Sequence, residues 1–270
     1  MNDNKRENNF DTSRLVPIYI LFIILLMVSG SLNGIFSEIF YYLAFLLPGA
    51  ICLLAYGKNL PRKNYLKLSK DDLTTSLPCI APSIVLIALV SSATSFVISA
   101  LGGGEYNVDL GSSLPRALLL SALLPALLEE FLFRYVPMRL LSGNSRRDTV
   151  IISALFFSLS HLNFYTIPYA FVAGIVLMSL DVATDSILPS FALHLLNNVV
   201  SILIIFYPHT FIWVVIGVLA VLSLIVIALR RKFYVRLISY VFDKGEGLHI
   251  GGELIVFALI TLFISLINFI

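Results

Sequence analysis

Long apolar runs occupy most of this 270-residue chain and limit what it can fold into. Hydrophobic residues make up 59% of the sequence and charged residues only 13%, with a mean hydropathy of +0.95. Soluble proteins carry about 25% charged residues, and a helix needs about 20 residues to cross a bilayer. The sequence therefore predicts an all-α polytopic membrane helix bundle of eight or nine transmembrane helices. The apolar runs lie at 15–35, 36–56, 77–101, 115–141, 149–165, 166–184, 187–207, 211–229 and 252–270.

The basic residues occupy alternate loops between these runs. Four clusters contain Lys and Arg, at the N-terminus, 57–76, 139–147 and 230–251. The loops at 102–114, about 165 and 207–210 contain neither. By the positive-inside rule, the basic clusters and the N-terminus face the cytoplasm. Because the net charge of +2 comes from these loops, it gives no support for a nucleic-acid partner. The expected surroundings are the lipid bilayer.

Three charged residues interrupt the apolar run from Ala117 to Met138. Glu129, Glu130 and Arg134 stand where a charge costs at least about 3 kcal/mol. Glu130 and Arg134 are four residues apart and can pair on one helix face. Glu129 projects about 100° away from that pair, so its desolvated carboxylate is free to serve as a general base. A purely structural ion network is the alternative.

Two later apolar runs carry helix-spaced polar residues. Phe157 and His161 share a face in one run, and His194 and Asn198 share a face in another. Counted from the cytoplasmic ends of their runs, Glu129 and His161 lie about 18 Å deep and His194 about 12 Å deep. We therefore expect Glu129, His161 and His194 to meet at one level within the membrane.

Glutamate and histidines around a water are suited to hydrolysis, with either a zinc-activated water or the carboxylate as base. The sequence contains no H-E-x-x-H zincin motif and no G-x-S-x-G serine-hydrolase motif. Asp181 and Asp185 are also four residues apart, and we expect them to form an interfacial face of their helix. Cys52 and Cys79 lack the spacing of a metal or redox motif, so we expect them to be packing residues.

The polar residues together form a pattern that resembles the CAAX prenyl protease 2-like family of intramembrane endopeptidases, also called the CPBP or bacteriocin-processing family. That family's pattern is E-E-x-x-x-R, then F-x-x-x-H, then H-x-x-x-N. All three elements occur here in order and on separate apolar runs, within about 115–205. The resemblance implies three regions: N-terminal helices in 1–114, a catalytic core in 115–207, and C-terminal helices with a basic cytoplasmic loop in 208–270.

The resemblance also implies roles for the motif residues. Glu129 would activate water, and Glu130 and Arg134 would be structural or positioning residues. Asn198 would help to stabilise the oxyanion. His161 and His194 would bind a metal or the water. The expected zinc ligands are His161, His194 and Glu129. If Glu129 is a zinc ligand, it is not also a free base unless Glu130 or Asn198 takes its place as a ligand. Zinc-dependent and glutamate-dependent hydrolysis therefore both stay open.

The expected substrate is a peptide or protein at the membrane. Because the sequence carries no organellar or endoplasmic-reticulum retention signal, we expect a multi-pass bacterial plasma-membrane protein, where prenylated substrates are not expected. The resemblance implies that bacterial members are peptide processors, or factors for self-immunity to bacteriocins and for secreted peptide signalling.

Three other functions fit parts of the pattern. A non-enzymatic immunity or binding protein would use the same cavity without the base. A proton-coupled transporter would use Glu129 and Asp181, and a haem protein would use His161 and His194 as axial ligands. We favour the peptidase, because the haem scheme leaves Glu129 and Glu130 unexplained and the sequence shows no convincing pair of broken helices for a transporter. Glu129→Gln separates it from the binder, since the loss of the base should spare a binder and abolish an enzyme.

Overall fold

The computed structural model describes residues 12–57, 63–101, 110–207, 210–242 and 252–267. Within these ranges the secondary structure is helical and contains no β-strand. A short 3₁₀ turn at Thr12–Leu15 leads into the first helix. The uninterrupted helices are α1 (Val16–Ser31), α2 (Ile35–Tyr56), α3 (Lys70–Ala100), α5 (Arg146–Leu159), α6 (Ile167–Thr184), α7 (Leu188–Phe206), α8 (Thr210–Leu229), α9 (Arg231–Phe242) and α10 (Gly252–Ile267).

One further helix, α4, runs from residue 114 to residue 140 and changes its winding along the way. Its α-helical parts are Leu114–Ala117, Leu124–Glu130 and Val136–Leu140, and its π-helical parts are Leu118–Leu123 and Phe131–Tyr135.

Prolines account for the changes in winding of α4. Each π-helical part ends just before a proline, Pro125 or Pro137. A proline inside a helix has no N–H to donate, and its ring crowds the carbonyl four residues earlier. Inserting a π turn relieves this crowding. Pro137 thereby frees the carbonyl oxygen of Phe133, which the functional site uses.

Among the described residues, fewer helices are long and apolar enough to cross a membrane than the eight or nine that the sequence predicts. Five described helices are long and apolar enough, and they correspond to α1, α2, α3, α6 and α7. A sixth span results if α8 and α9, which meet at a bend of 86°, are counted as one. The multi-pass membrane character is thus supported, whereas the count of eight or nine is not confirmed.

The remaining predicted spans differ from the structure for identifiable reasons. The run at 115–141 forms α4, whose winding changes twice. The run at 149–165 forms a helix that starts at Arg146 and ends at Leu159, only 14 residues. The last run forms α10, 16 residues long within the described part. The basic N-terminal residues before 12 and the acidic loop residues of 102–109 lie outside the described residues.

Contacts at one end of the bundle join the predicted cytoplasmic loops. The Lys63 Nζ lies 2.6 Å from the Asp185 carboxylate, and the Ile187 N–H donates to the Tyr65 carbonyl oxygen at 3.0 Å. The Arg146 guanidinium lies over the Tyr240 ring at 5.3 Å. The segment after α2 therefore lies against the turn between α6 and α7, and the first residue of α5 lies against α9.

An aromatic cluster packs α1, α2, α4 and α5 together. The Tyr19 ring stacks on Phe156 with centroids 3.6 Å apart, and Phe22 meets Phe45 at 5.0 Å. Phe133 of α4 lies 5.6 Å from Tyr19. Buried aromatic pairs stabilise beyond the area they bury, so this cluster fixes α4 against the N-terminal helices and sets where its polar face points.

Candidate active site

The polar face of α4 begins with a buried ion pair. The Arg134 Nε lies 3.6 Å from the Glu130 Oε2, and the two side chains are 0% and 2% exposed. This is the i,i+4 pair that the sequence spacing predicts. Because a buried charge needs a partner, the pair lets both residues stay charged within a largely apolar interior.

Three further groups hold the Arg134 side chain. Its Nη1 donates to the Phe133 carbonyl oxygen at 3.2 Å and to the Ser153 Oγ at 3.5 Å. The Ser153 hydroxyl donates to the same Phe133 carbonyl at 2.5 Å. The ring of Phe157 lies 4.4 Å from the guanidinium carbon, a cation–π contact. The carbonyl that Pro137 leaves without a helical donor thus helps to orient the arginine.

His194 of α7 stands between the two glutamates. Its Nδ1 lies 2.7 Å from the Glu130 Oε1, and its Nε2 lies 3.6 Å from the Glu129 Oε2. Glu129 is 14% exposed, whereas Glu130 is 2% exposed. The structure therefore brings α4 and α7 together as the depth argument predicts, with one glutamate buried as the partner of His194 and the other more accessible.

His161 occupies a different position from the predicted one. It lies in the turn after α5, two residues beyond Leu159, rather than inside a helix. Its Nδ1 is 2.8 Å from the Phe157 carbonyl oxygen. The Phe157 ring lies 5.0 Å from the His161 ring and 5.7 Å from the His194 ring. The two imidazoles thus lie around one phenylalanine ring.

Asn198 lies one helical turn after His194 on α7 and is half-buried. Its side chain makes no hydrogen bond to another described residue. An amide in this state retains two N–H donors and one acceptor oxygen, which is the chemistry that an oxyanion or a substrate amide requires.

The expected zinc ligands do not form a three-donor site in this arrangement. Within the described residues, no three His, Cys, Asp or Glu side chains lie close enough to share a metal ion. Catalytic zinc needs three protein ligands, and of the expected set only Glu129 and His194 are in mutual contact. Zinc stays a prediction, and no step of the chemistry below depends on it.

Sequence reasoning missed the part played by Asp181. We expected it, with Asp185, to form an interfacial face, but Asp181 is fully buried, while Asp185 is exposed and pairs with Lys63. Asp181 accepts a hydrogen bond from the Ser190 N–H at 3.3 Å and interacts electrostatically with Glu130. Its position inside an apolar run, the signal that identified Glu129, was sufficient to identify it.

The arrangement combines what peptide hydrolysis requires. A partly exposed carboxylate faces an imidazole, and a buried carboxylate holds that imidazole from behind. The Asn198 amide, which retains its donors, lies one helical turn after that imidazole on α7.

The segment that contains this site matches a known protein family. Residues 111–200 match the family described as type II CAAX prenyl endopeptidase Rce1-like. No curated protein and no solved structure gives a significant match. The matched third of the chain contains every site residue described above. Residues 111–200 are therefore similar to the Rce1-like family of type II CAAX prenyl endopeptidases, a family of proteases, and this similarity supports the family resemblance seen in the sequence.

Proposed function

We propose that this protein is an intramembrane endopeptidase in which Glu129 is the general base. The observation that carries the proposal is the position of His194 between two glutamates, 2.7 Å from Glu130 and 3.6 Å from Glu129. Because Glu130 is occupied by His194 and Arg134, Glu129 is the carboxylate left to react with a water molecule.

The hydrogen bonds on His194 define its part in the reaction. With Nδ1–H donating to Glu130, the neutral ring presents Nε2 as an acceptor toward Glu129. A water bound between Nε2 and Glu129 is thereby oriented for attack. Glu129 takes a proton from that water while the oxygen adds to the peptide carbonyl carbon, and the same proton then passes to the leaving nitrogen.

The oxyanion formed by that attack needs hydrogen-bond donors. Asn198 offers its amide N–H groups. His161 donates its Nδ1–H to the Phe157 carbonyl oxygen, so its neutral ring presents Nε2 as an acceptor for the water. Fixed donors aimed at a developing negative charge lower the barrier without reorganising. We assign oxyanion stabilisation to Asn198.

We further propose a multi-pass protein of the bacterial plasma membrane, with its N-terminus and basic loops in the cytoplasm. Two contacts support one common side for these loops: Lys63 with Asp185, and Arg146 with Tyr240. At the N-terminal end, Arg14 lies 5.8 Å from the Tyr56 ring, which joins the start of α1 to the end of α2. The proposed substrate is a peptide segment within or beside the bilayer.

The test compares cells that produce wild type or Glu129→Gln at equal protein levels. Released and membrane-bound peptides are identified by mass spectrometry. Peptides or new termini found only with wild type support the peptidase and identify its substrates. Identical peptide profiles, with the cellular phenotype retained by the variant, would instead establish a non-enzymatic binding or immunity protein.

A further inference from the structure

A third carboxyl group lies behind the Glu130–His194 pair and takes no part in the chemistry proposed above. Asp181 is fully buried at the end of α6, and its Oδ1 accepts a hydrogen bond from the Ser190 N–H at 3.3 Å. Ser190 lies in the first turn of α7, and His194 follows one turn later. Asp181 therefore holds the end of the helix that carries His194.

The Ser190 hydroxyl extends this connection to Glu130. It lies close to the carboxyl groups of both Asp181 and Glu130, and it donates to the Ile187 carbonyl oxygen at 2.9 Å. Asp181 and Glu130 also interact electrostatically with each other. A continuous buried polar chain thus runs from Asp181 through Ser190 and Glu130 to His194.

We propose that Asp181 is a positioning residue. Its Oδ1 fixes the first turn of α7 through the Ser190 N–H, one turn before His194, and so helps to hold His194 against Glu130. The inference deepens the proposed peptidase function and rests on it wherever activity is the readout.

The test uses two substitutions of nearly equal shape. Asp181→Asn keeps an acceptor oxygen for the Ser190 N–H, whereas Asp181→Leu removes it. Asp185→Asn, on the exposed acid one turn along, is the matched control. Purified full-length proteins in lipid nanodiscs are compared for kcat and KM on a peptide substrate. As a second readout, diethyl pyrocarbonate modification of His194 is measured by mass spectrometry relative to His161 in the same molecule.

We expect Asp181→Asn to keep kcat and the His194-to-His161 modification ratio within about threefold of wild type. Asp181→Leu should lower kcat at least about tenfold with little change in KM, because a misplaced catalytic group slows the chemical step. The modification ratio of Asp181→Leu should change as well, and Asp185→Asn should match wild type.

Two results would overturn the proposal. If Asp181→Asn loses as much activity as Asp181→Leu, the carboxylate charge is what matters, and if Asp181→Leu equals wild type, the residue positions nothing. Should Asp181→Leu fail to fold, Asp181→Ala carries the same expectation. If wild type cleaves no peptide, the peptidase function fails on its own, and the modification ratio alone still decides the role of Asp181.

Discussion

Phe133 and Arg134 are neighbours on α4, yet they face opposite kinds of surroundings. Phe133 is fully buried, and its ring lies within about 6 Å of the rings of Tyr19, Phe22 and Phe157. Arg134 lies among polar groups, and its Nε and Nη2 donate to no described residue. The aromatic side stabilises the bundle through close packing. On the polar side, two nitrogen donors of Arg134 have no hydrogen-bond acceptor among the described residues. We infer that one side of α4 serves mainly to pack the bundle, whereas the other side carries the groups used in the chemistry.

The polar side should nevertheless be needed for folding. Arg134→Leu leaves the Glu130 carboxylate buried without a cation, and breaking a buried ion pair in this way costs about 3–5 kcal/mol. We expect low yield and a strongly lowered unfolding temperature in detergent. Arg116→Leu, on an exposed arginine at the start of the same helix, is the control and should behave as wild type. Equal stability of the two variants would show that the polar side contributes nothing to the fold.

Packing behind the site is expected to be nearly as sensitive. A Cβ added at Gly174 of α6 would lie 2.8 Å from the Ala154 Cα of α5. Since two helix backbones must separate to admit it, Gly174→Ala should cost about 2 kcal/mol and displace the helix that ends before His161. Thermal unfolding measures the loss. Gly217→Ala, where the Cβ meets no atom within 4 Å, should not destabilise, and a similar loss there would refute the packing explanation.

A smaller effect should follow when one donor to the Phe133 carbonyl is removed. Ser153→Ala takes away the 2.5 Å hydrogen bond, while the Arg134 Nη1 at 3.2 Å continues to donate. We expect a loss of about 1 kcal/mol in unfolding free energy. Ser158→Ala removes only a local bond to the Leu155 carbonyl within α5 and is the matched control. If both variants lose the same amount, the carbonyl freed by Pro137 has no special role.

Metal removal should have the smallest effect. Because no three-donor cluster is present in the described part of the chain, treatment with a zinc chelator should leave the hydrolysis rate within about twofold, unlike enzymes that draw activity from a bound metal. Metal analysis of the purified protein is the accompanying measurement. A stoichiometric zinc ion, lost together with activity, would restore the zinc-dependent mechanism.

Much of the site could be predicted because helix geometry is regular. The four-residue spacing predicts the Glu130–Arg134 pair, and counting residues from the helix ends predicts that Glu129 and His194 meet. Both inferences need only the rise and the period of an α-helix. Both predictions hold despite the π turns in α4, because the aromatic cluster fixes the position of that helix.

The rest could not be predicted because it depends on where helices end and bend. The prolines at 125 and 137 indicate perturbed helix geometry, but the hydropathy pattern does not distinguish a π turn from a kink. His161 lies in a turn because α5 ends at Leu159, within an apolar run that continues. Asp181 is a different case: its position inside an apolar run was sufficient to identify it, but we assigned it to an interface because it lies near a helix end.

The most direct test of the account is the rate of peptide hydrolysis by purified wild type and Glu129→Gln in nanodiscs. Glu129 is only partly buried and pairs with no arginine, so the variant should fold and unfold as wild type does. We expect hydrolysis to fall at least about 100-fold, the usual contribution of a general base. A rate within threefold of wild type would contradict the assignment of Glu129 as the base and, with it, the proposed mechanism.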